Sequence, residues 1–252
     1  MISKQYIDIN CDLGEGFGAW QIGNDEAIMP FVSSVNIACG FHAGDPSTMM
    51  KTIQLAQKYQ VHIGAHPGFP DLVGFGRRNM QLSPQEVYDI VIYQIGALQA
   101  CAHAQGTKLH HVKPHGALYN MAANSTSLAA AIAEAIYAIE PNLILYGLAG
   151  SQLISAGKEK GLRVYNEIFA DRTYQNDGSL TPRSQQNAII TNSTEAIEQV
   201  LQIIETGHVT SLEGNQIPLS ADTICIHGDH ADSVLFAKSL AKALARKNIQ
   251  IR

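Results

Sequence analysis

The sequence predicts an α/β fold, an irregular (β/α) barrel of seven strands occupying residues 1–252 as one unit. Three observations carry this. Seven short apolar runs recur along the chain, helical patterns lie between most of them, and no proline- or serine-rich linker divides the 252 residues. Strand and helix alternating at this spacing give mainly parallel strands with helical crossovers, and one barrel routinely fills a chain of this length. A doubly wound open sheet is the rival arrangement. The chain lacks its dinucleotide fingerprint GxGxxG, and it lacks the phosphate loop GxxxxGK[ST], which weakens that reading without removing the sheet.

The strand candidates, in order, are YIDINC (6–11), SVNIAC (34–39), VHIGA (61–65), KLHHVK (108–113), LILYG (143–147), LRVYNEIF (162–169) and DTICIH (222–227). PSTMMKTIQLAQKY (46–59) repeats apolar residues every three or four positions, the period of a helix with one buried face. The next helix, 83–106, opens with Ser83 as N-cap, Pro84 at its first position and Glu86 three residues after the cap, and it stops at Gly106. Further helices are expected at 125–139, 150–160, 193–206 and 230–247, with Gly161 and Gly207 as stops. Segments 69–82 and 170–190 are long connections, expected to be functional.

In barrels and open parallel sheets alike, chemistry collects beyond the C-terminal ends of the strands. Asp12 and Glu15 follow the first candidate strand, His42 and Asp45 the second, and His66 and Asp71 the third. Lys113 and His115, with Asn120 further on, follow the fourth; only GLAG follows the fifth. Glu167, Asp171 and Arg172 belong to the sixth, and His227, Asp229 and His230 to the seventh. Six loaded ends of seven, most flanked by glycine, imply one shared pocket. Blander readings stand beside these. Asp12 and Glu15 can be caps or surface carboxylates, His42 and His66 core histidines bonded to carbonyls, Glu167, Asp171 and Arg172 a loop-fixing ion pair, and Asp229 a helix cap. His111 should lie deeper in the barrel and His110 should face away.

Carboxylates and imidazoles in one pocket can move protons and activate water. Asp12, His42 and His66 would make a first shell for a divalent metal, while Lys113 and Arg172 could hold a carboxylate or phosphate. No HxH or HExxH motif is present. Cys39, just before Gly40 and His42, reads as a buried small residue more than as a nucleophile. Net charge −5 with scattered basic residues gives no reason to expect nucleic acid. No stretch approaches the length of a membrane span, and the N-terminus lacks an apolar signal core. A cytoplasmic protein with its four cysteines reduced is the expectation.

Seven blocks, taken together and in order, resemble the LamB/YcsF family of bacterial 5-oxoprolinase A subunits. They are DINCDLGEGFG (8–18), NIACGFHAGD (36–45), IGAHPGFPDLVGFGRR (63–78), VKPHGALYN (112–120), EIFADRTY (167–174), LTPR (180–183) and ICIHGDH (224–230), and they span nearly the whole chain. The resemblance implies a barrel related to the seven-stranded glycoside hydrolase/deacetylase-like barrels. It implies ring opening of 5-oxo-L-proline to L-glutamate, with ATP as co-substrate accompanied by Mg2+. The partners it implies are subunits B and C, of allophanate-hydrolase and carboxyltransferase type; homo-oligomerisation stays open. Carried onto this chain, Asp12 or Glu15 would be base or metal ligand, with His42 and His66 shaping the pocket. Lys113 and Arg172 would grip carboxylate or phosphate, and His115, Glu167, Asp171 and Asp229 would transfer protons or orient the others. ATP would bind a partner, or this chain without a standard motif. Two other functions stay open: a metal-dependent deacetylase or amidohydrolase working without ATP, and a non-catalytic metabolite-binding subunit.

Overall fold

A computed structural model describes residues 6–227 and 233–252, so the expectations for Asp229 and His230 lie outside the described residues. The strands are β1 (Tyr6–Leu13), β2 (Ser34–Ala38), β3 (His62–His66), β4 (His111–Val112), β5 (Ile144–Leu148), β6 (Arg163–Phe169), β7 (His208–Thr210), β8 (Gln216–Pro218), β9 (Thr223–His227) and β10 (Gln250–Ile251). The helices are α1 (Asp25–Ile28), α2 (Pro46–Tyr59), α3 (Pro84–Ala104), α4 (Gly116–Ala123), α5 (Thr126–Ile139), α6 (Gln152–Lys160), α7 (Ser193–Thr206) and α8 (Ser233–Arg246). Strands β1 to β6 pair in parallel in chain order, and β9 pairs with both β6 and β1. Seven parallel strands therefore close on themselves, and the open-sheet alternative is set aside. β10 adds to β1 outside the closed ring, while β7 and β8 form a separate antiparallel hairpin.

β1 shows how the sequence builds both sides of the wall. Ile7, Ile9, Cys11 and Leu13 join the apolar core under the helices, and the alternate residues Asp8, Asn10 and Asp12 carry the polar set. The barrel interior is polar throughout its depth. Asp8, Asn10, Ser34, Asn36, His111, Lys113, Glu167 and Thr223 are all buried. They bond to one another: Asn36 Nδ2 donates to Asn10 Oδ1, and Asn10 Nδ2 donates to Thr223 Oγ1 and Glu167 Oε1. Ser33, Ser34 and Thr223 hydroxyls donate to Asp8, whose carboxyl is nonetheless pushed up by burial. His111 packs so closely on β3 that a Cβ on Gly64 would collide with its ring. Only glycine fits there.

Helix ends follow the local chemistry. Ser83 and Glu86 form the reciprocal capping box with Pro84 in the first turn, and Gly161 and Gly207 end their helices in the left-handed region. Asp45, counted among the pocket candidates by position, is instead the N-cap of α2. Its carboxylate accepts from Ser47 N–H, Thr48 N–H, Thr48 Oγ1 and Gly18 N–H. Those bonds, Thr48 first, lower its pKa from 3.8 to about 2. Because the folded value is the lower one, the cap stabilises above about pH 4, and its contribution is lost as pH falls toward 2. Asp45→Ala is expected to cost about 1 kcal/mol, with the deficit shrinking below pH 4; urea unfolding across pH 2–7 measures it.

The structure departs from the sequence reading around β4 and in the segment 208–218. The expected strand 108–113 shortens to His111–Val112, although His110 and Lys113 N–H groups extend the ladder to Ile63 and Ala65 carbonyls. Pro114 has no N–H with which to continue it, and the chain turns at once into α4. The β7–β8 hairpin buttresses segment 170–190: Ser211 Oγ and Asn215 Nδ2 donate to Asn176 Oδ1, and Leu212 N–H donates to Tyr174 O. All four cysteines are free. Among the described residues no helix is long and apolar enough to cross a membrane.

Candidate active site

A cavity of about 690 Å³ opens at the C-terminal ends of the barrel strands, lined by Asp12, Glu15, His66, Lys113 and His115 at its base. Arg77, Arg172 and Arg183, from segments 69–82 and 170–190, line its outer wall. The base is thus strand-end acid and imidazole, and the wall is loop-borne cation.

Lys113 is the hub of the base. Its Nζ lies 3.0 Å from Asp12 Oδ1, 2.9 Å from Glu167 Oε1, 3.1 Å from Asn10 Oδ1 and 3.0 Å from Cys225 Sγ. Burial works against its charge, but Asp12, Cys225 and Glu167 outweigh burial and hold the ammonium well above the usual lysine range. An ammonium has three protons, and four acceptors already surround this one. Its charge is therefore spent on the two carboxylates, not offered to an incoming anion. Glu167 is fully buried and lies beneath the cavity rather than on its lining. Its Oε2 accepts from Tyr119 Oη at 2.6 Å, and burial pushes the Tyr119 hydroxyl well above its ordinary value, so Tyr119 stays a donor.

Beside this hub stands a second cluster of Glu15, His42, His66 and His115, each buried, with one candidate ligand atom apiece all within 4.8 Å of one another. His42 stacks on His115 with ring centroids 3.7 Å apart, and the backbone of Gly76 lies against both rings, so close that a Cβ there would fall 2.7 Å from His42 Cβ. Burial pushes the His42 imidazolium well below its ordinary range, and burial with the neighbouring His66 brings His115 down to about 3. Both rings are neutral at pH 7. This group of one carboxylate and three imidazoles could coordinate a divalent metal. Asp12 is not among its four members; it sits alongside, with Oδ2 3.3 Å from His66 Nε2, and its Oδ1 accepts from Asn36 Nδ2 and Lys113 Nζ.

The remaining candidates serve other ends. Arg172 lines the cavity, but its guanidinium donates to the Ala188 and Thr181 carbonyls and so fastens segment 170–190. Asp171 is half-buried and not among the lining residues. Asp71 pairs with Arg78 and accepts from Gly74 N–H, fixing the turn that presents Arg77. The Cys39 thiol is pushed up to about 12 by burial and directed at the Ile37 carbonyl, which leaves no nucleophilic thiolate. Arg77, Arg183, Tyr119, Asn10 and Cys225 are site residues that the strand-end reading did not pick out. Asn10 was readable from period-two spacing with Asp12; the two arginines lie inside the quoted blocks but in loops, where spacing gives no direction.

The LamB/YcsF family model matches residues 7–252. A Brevibacillus brevis protein, named as the A subunit of 5-oxoprolinase, is 59% identical over 97% of this chain and 96% of its own length. One of the same name from Tolumonas auensis is 59% identical over 98% of both. The crystal structure of a lactam utilization protein from Thermus thermophilus superposes with TM-score 0.92 at 45% identity, covering 98% of this chain and 99% of that one. A solved Enterococcus faecalis chain at TM-score 0.62 and 14% identity shares the fold over 99% of this chain and 97% of its own. With the family's model matched from the first barrel strand to the last residue, the chain belongs to the LamB/YcsF family.

Proposed function

We propose that this chain is the A subunit of an ATP-dependent 5-oxoprolinase, opening 5-oxo-L-proline to L-glutamate together with B and C subunits. The observation that carries the reading is full-length identity of 56–59% to proteins named as the A subunit of 5-oxoprolinase. The cavity's chemistry supports it. A five-membered lactam is a stable amide, and its ring nitrogen leaves poorly. Transfer of the γ-phosphoryl group of ATP, as its Mg2+ complex, to the lactam oxygen makes the ring carbon electrophilic. Water then adds to that carbon and the C–N bond breaks as the nitrogen takes up a proton, leaving an acyl phosphate; a second water adds to the same carbon and inorganic phosphate departs with the former carbonyl oxygen. The products are L-glutamate, ADP and phosphate.

This sequence needs a base for the water, a cationic grip on anionic groups and a fixed floor. Asp12, paired with Lys113 at 3.0 Å, is our choice of base, with Glu15 beside it on the cavity lining. Arg77 and Arg183 on the outer wall are our choice to receive carboxylate or phosphate, with Arg172 and Asp171 setting the segment that carries Arg183. His66 and His115 border the base of the cavity. Arg183→Ala is expected to raise the KM for 5-oxo-L-proline or ATP about tenfold or more while leaving the fold intact, checked by steady-state kinetics with each substrate varied in turn.

The reading is tested by measuring L-glutamate release from 5-oxo-L-proline, with and without ATP, using this chain alone and mixed with B and C subunits. Release that requires ATP and the full mixture is expected. No release from any mixture of folded subunits would overturn it, as would ATP-independent release of acetate from acetylated substrates by this chain alone.

A further inference from the structure

The geometry points to a resident metal site of zinc class, with His42, His66 and His115 as nitrogen ligands and Glu15 as oxygen ligand, separate from any Mg2+ that accompanies ATP. Backbone carbonyls decide which of these ring nitrogens carry protons. His66 Nδ1 lies 2.7 Å from the Lys113 carbonyl oxygen, and His115 Nε2 lies 2.8 Å from the Phe75 carbonyl oxygen. A carbonyl only accepts, so both of those ring nitrogens are N–H donors. The opposite nitrogens, His66 Nε2 and His115 Nδ1, are the ones left to bind something else, and they face each other at 2.9 Å. Two lone pairs aimed at one another at that distance require a positive centre between or beside them. A shared proton or a cation satisfies this; two neutral rings alone do not.

Two further observations favour the cation. His42 is fully buried, and neither of its ring nitrogens has a hydrogen-bond partner. Its Nε2 stands 3.7 Å from Glu15 Oε1, and His115 Nδ1 stands 3.8 Å from the same oxygen. A proton held between His66 and His115 would leave His42 with nothing to bind, whereas an ion among the four gives it a ligand role. The N–H bonds from His66 and His115 to backbone carbonyls are also the arrangement that fixes tautomer and ring direction in metal-binding histidines.

The donor set selects the metal. Three imidazoles and one carboxylate suit zinc and its neighbours, whereas Mg2+ keeps oxygen ligands and water. Ligands about 2.0–2.1 Å from a tetrahedral ion stand roughly 3.4 Å apart, so an ion would open the 2.9 Å pair slightly and draw in the wider ones. Glu15, His66 and His115 line the cavity and His42 does not, so the site is reached from the cavity with His42 closing its back. Asp12, 3.3 Å from His66 Nε2, stays outside the ligand set as the base beside it. The inference holds whichever substrate the cavity takes.

The test uses the full chain, stripped with chelator and titrated with Co2+, Zn2+ and Mg2+ in turn. One Co2+ per chain with visible ligand-field bands is expected, displaced by Zn2+ and not by Mg2+. His42→Ala and Glu15→Gln are each expected to weaken Co2+ binding at least a hundredfold, with folding followed by circular dichroism. Imidazole 15N shifts of the wild-type chain give a readout that needs no variant. They should move on Zn2+ addition for His42, His66 and His115 together. Binding no tighter than in the His42→Ala variant, preference for Mg2+, or a His66–His115 bridging proton whose signals ignore added Zn2+ would overturn the site.

Discussion

Replacing Lys113 with methionine is expected to abolish measurable 5-oxoproline turnover and to destabilise the fold more than any other single change in the barrel. Methionine keeps the unbranched apolar stem and lacks only the terminal ammonium, so the change isolates the charge. Asp12 and Glu167 would then face each other's neighbourhood in the barrel interior without the ammonium that lies 3.0 and 2.9 Å from them. Removing one partner from a buried ionic set leaves uncompensated charge and costs about 3–5 kcal/mol, which for a chain of this size lowers the melting temperature by about 10 °C. Turnover should fall about a thousandfold or more, because the base and its electrostatic support go together. Calorimetry and glutamate release in the assembled complex measure the two losses.

The pH dependence has a definite sign. Lys113 has its pKa raised in the folded chain, so its contribution is fully present below the ordinary lysine range and fades only as pH rises through the folded value. In Lys113→Met the burden shifts to the acids. Proton uptake offsets buried negative charge that has lost its counter-ion, so the variant should be least deficient near pH 5 and most deficient near pH 8. Lys113→Met/Glu167→Gln should recover much of the stability and none of the turnover. Recovery of both would mean that Lys113 serves the fold alone.

Asp12→Asn is expected to reduce turnover about a hundredfold to ten-thousandfold with little change in KM or melting temperature. The asparagine oxygen can still accept from Asn36 Nδ2 and Lys113 Nζ, which both address Oδ1. Its new amide would stand where Oδ2 stands, 3.3 Å from His66 Nε2, beside the histidine cluster and outside its ligand set. The site therefore keeps its shape and loses only a base. Unchanged turnover would pass the role to Glu15, where Glu15→Gln would then show the loss.

Much of this arrangement was legible in the sequence because parallel barrels put consecutive strand ends on one rim. Asp12, His66 and Lys113 needed only the right strand boundaries, and period-two alternation placed His111 beneath Lys113, where its Nε2 donates to Asn36. Three things were not legible. Direction within a polar interior was one: Lys113 and Glu167 read as substrate-facing groups, yet both are turned toward other buried side chains. Loop-borne residues were another, since Arg77 and Arg183 reach the cavity through turns held by the Asp71–Arg78 pair and the β7–β8 hairpin. The third was partition. Position at strand ends grouped Asp12 with His42 and His66 as metal ligands, and only distances separate a Lys113 hub that holds Asp12 from a histidine cluster that holds Glu15.

The central claim is that the rim cavity of this chain receives the lactam. Diffraction from crystals of the assembled A–B–C complex, grown with 5-oxo-L-proline and a non-hydrolysable ATP analogue, tests it most directly. The expected result is density for the lactam over Asp12 and Glu15, with its carboxylate toward Arg77 and Arg183. Lactam bound to a partner chain instead, with this cavity filled by solvent alone, would contradict the account.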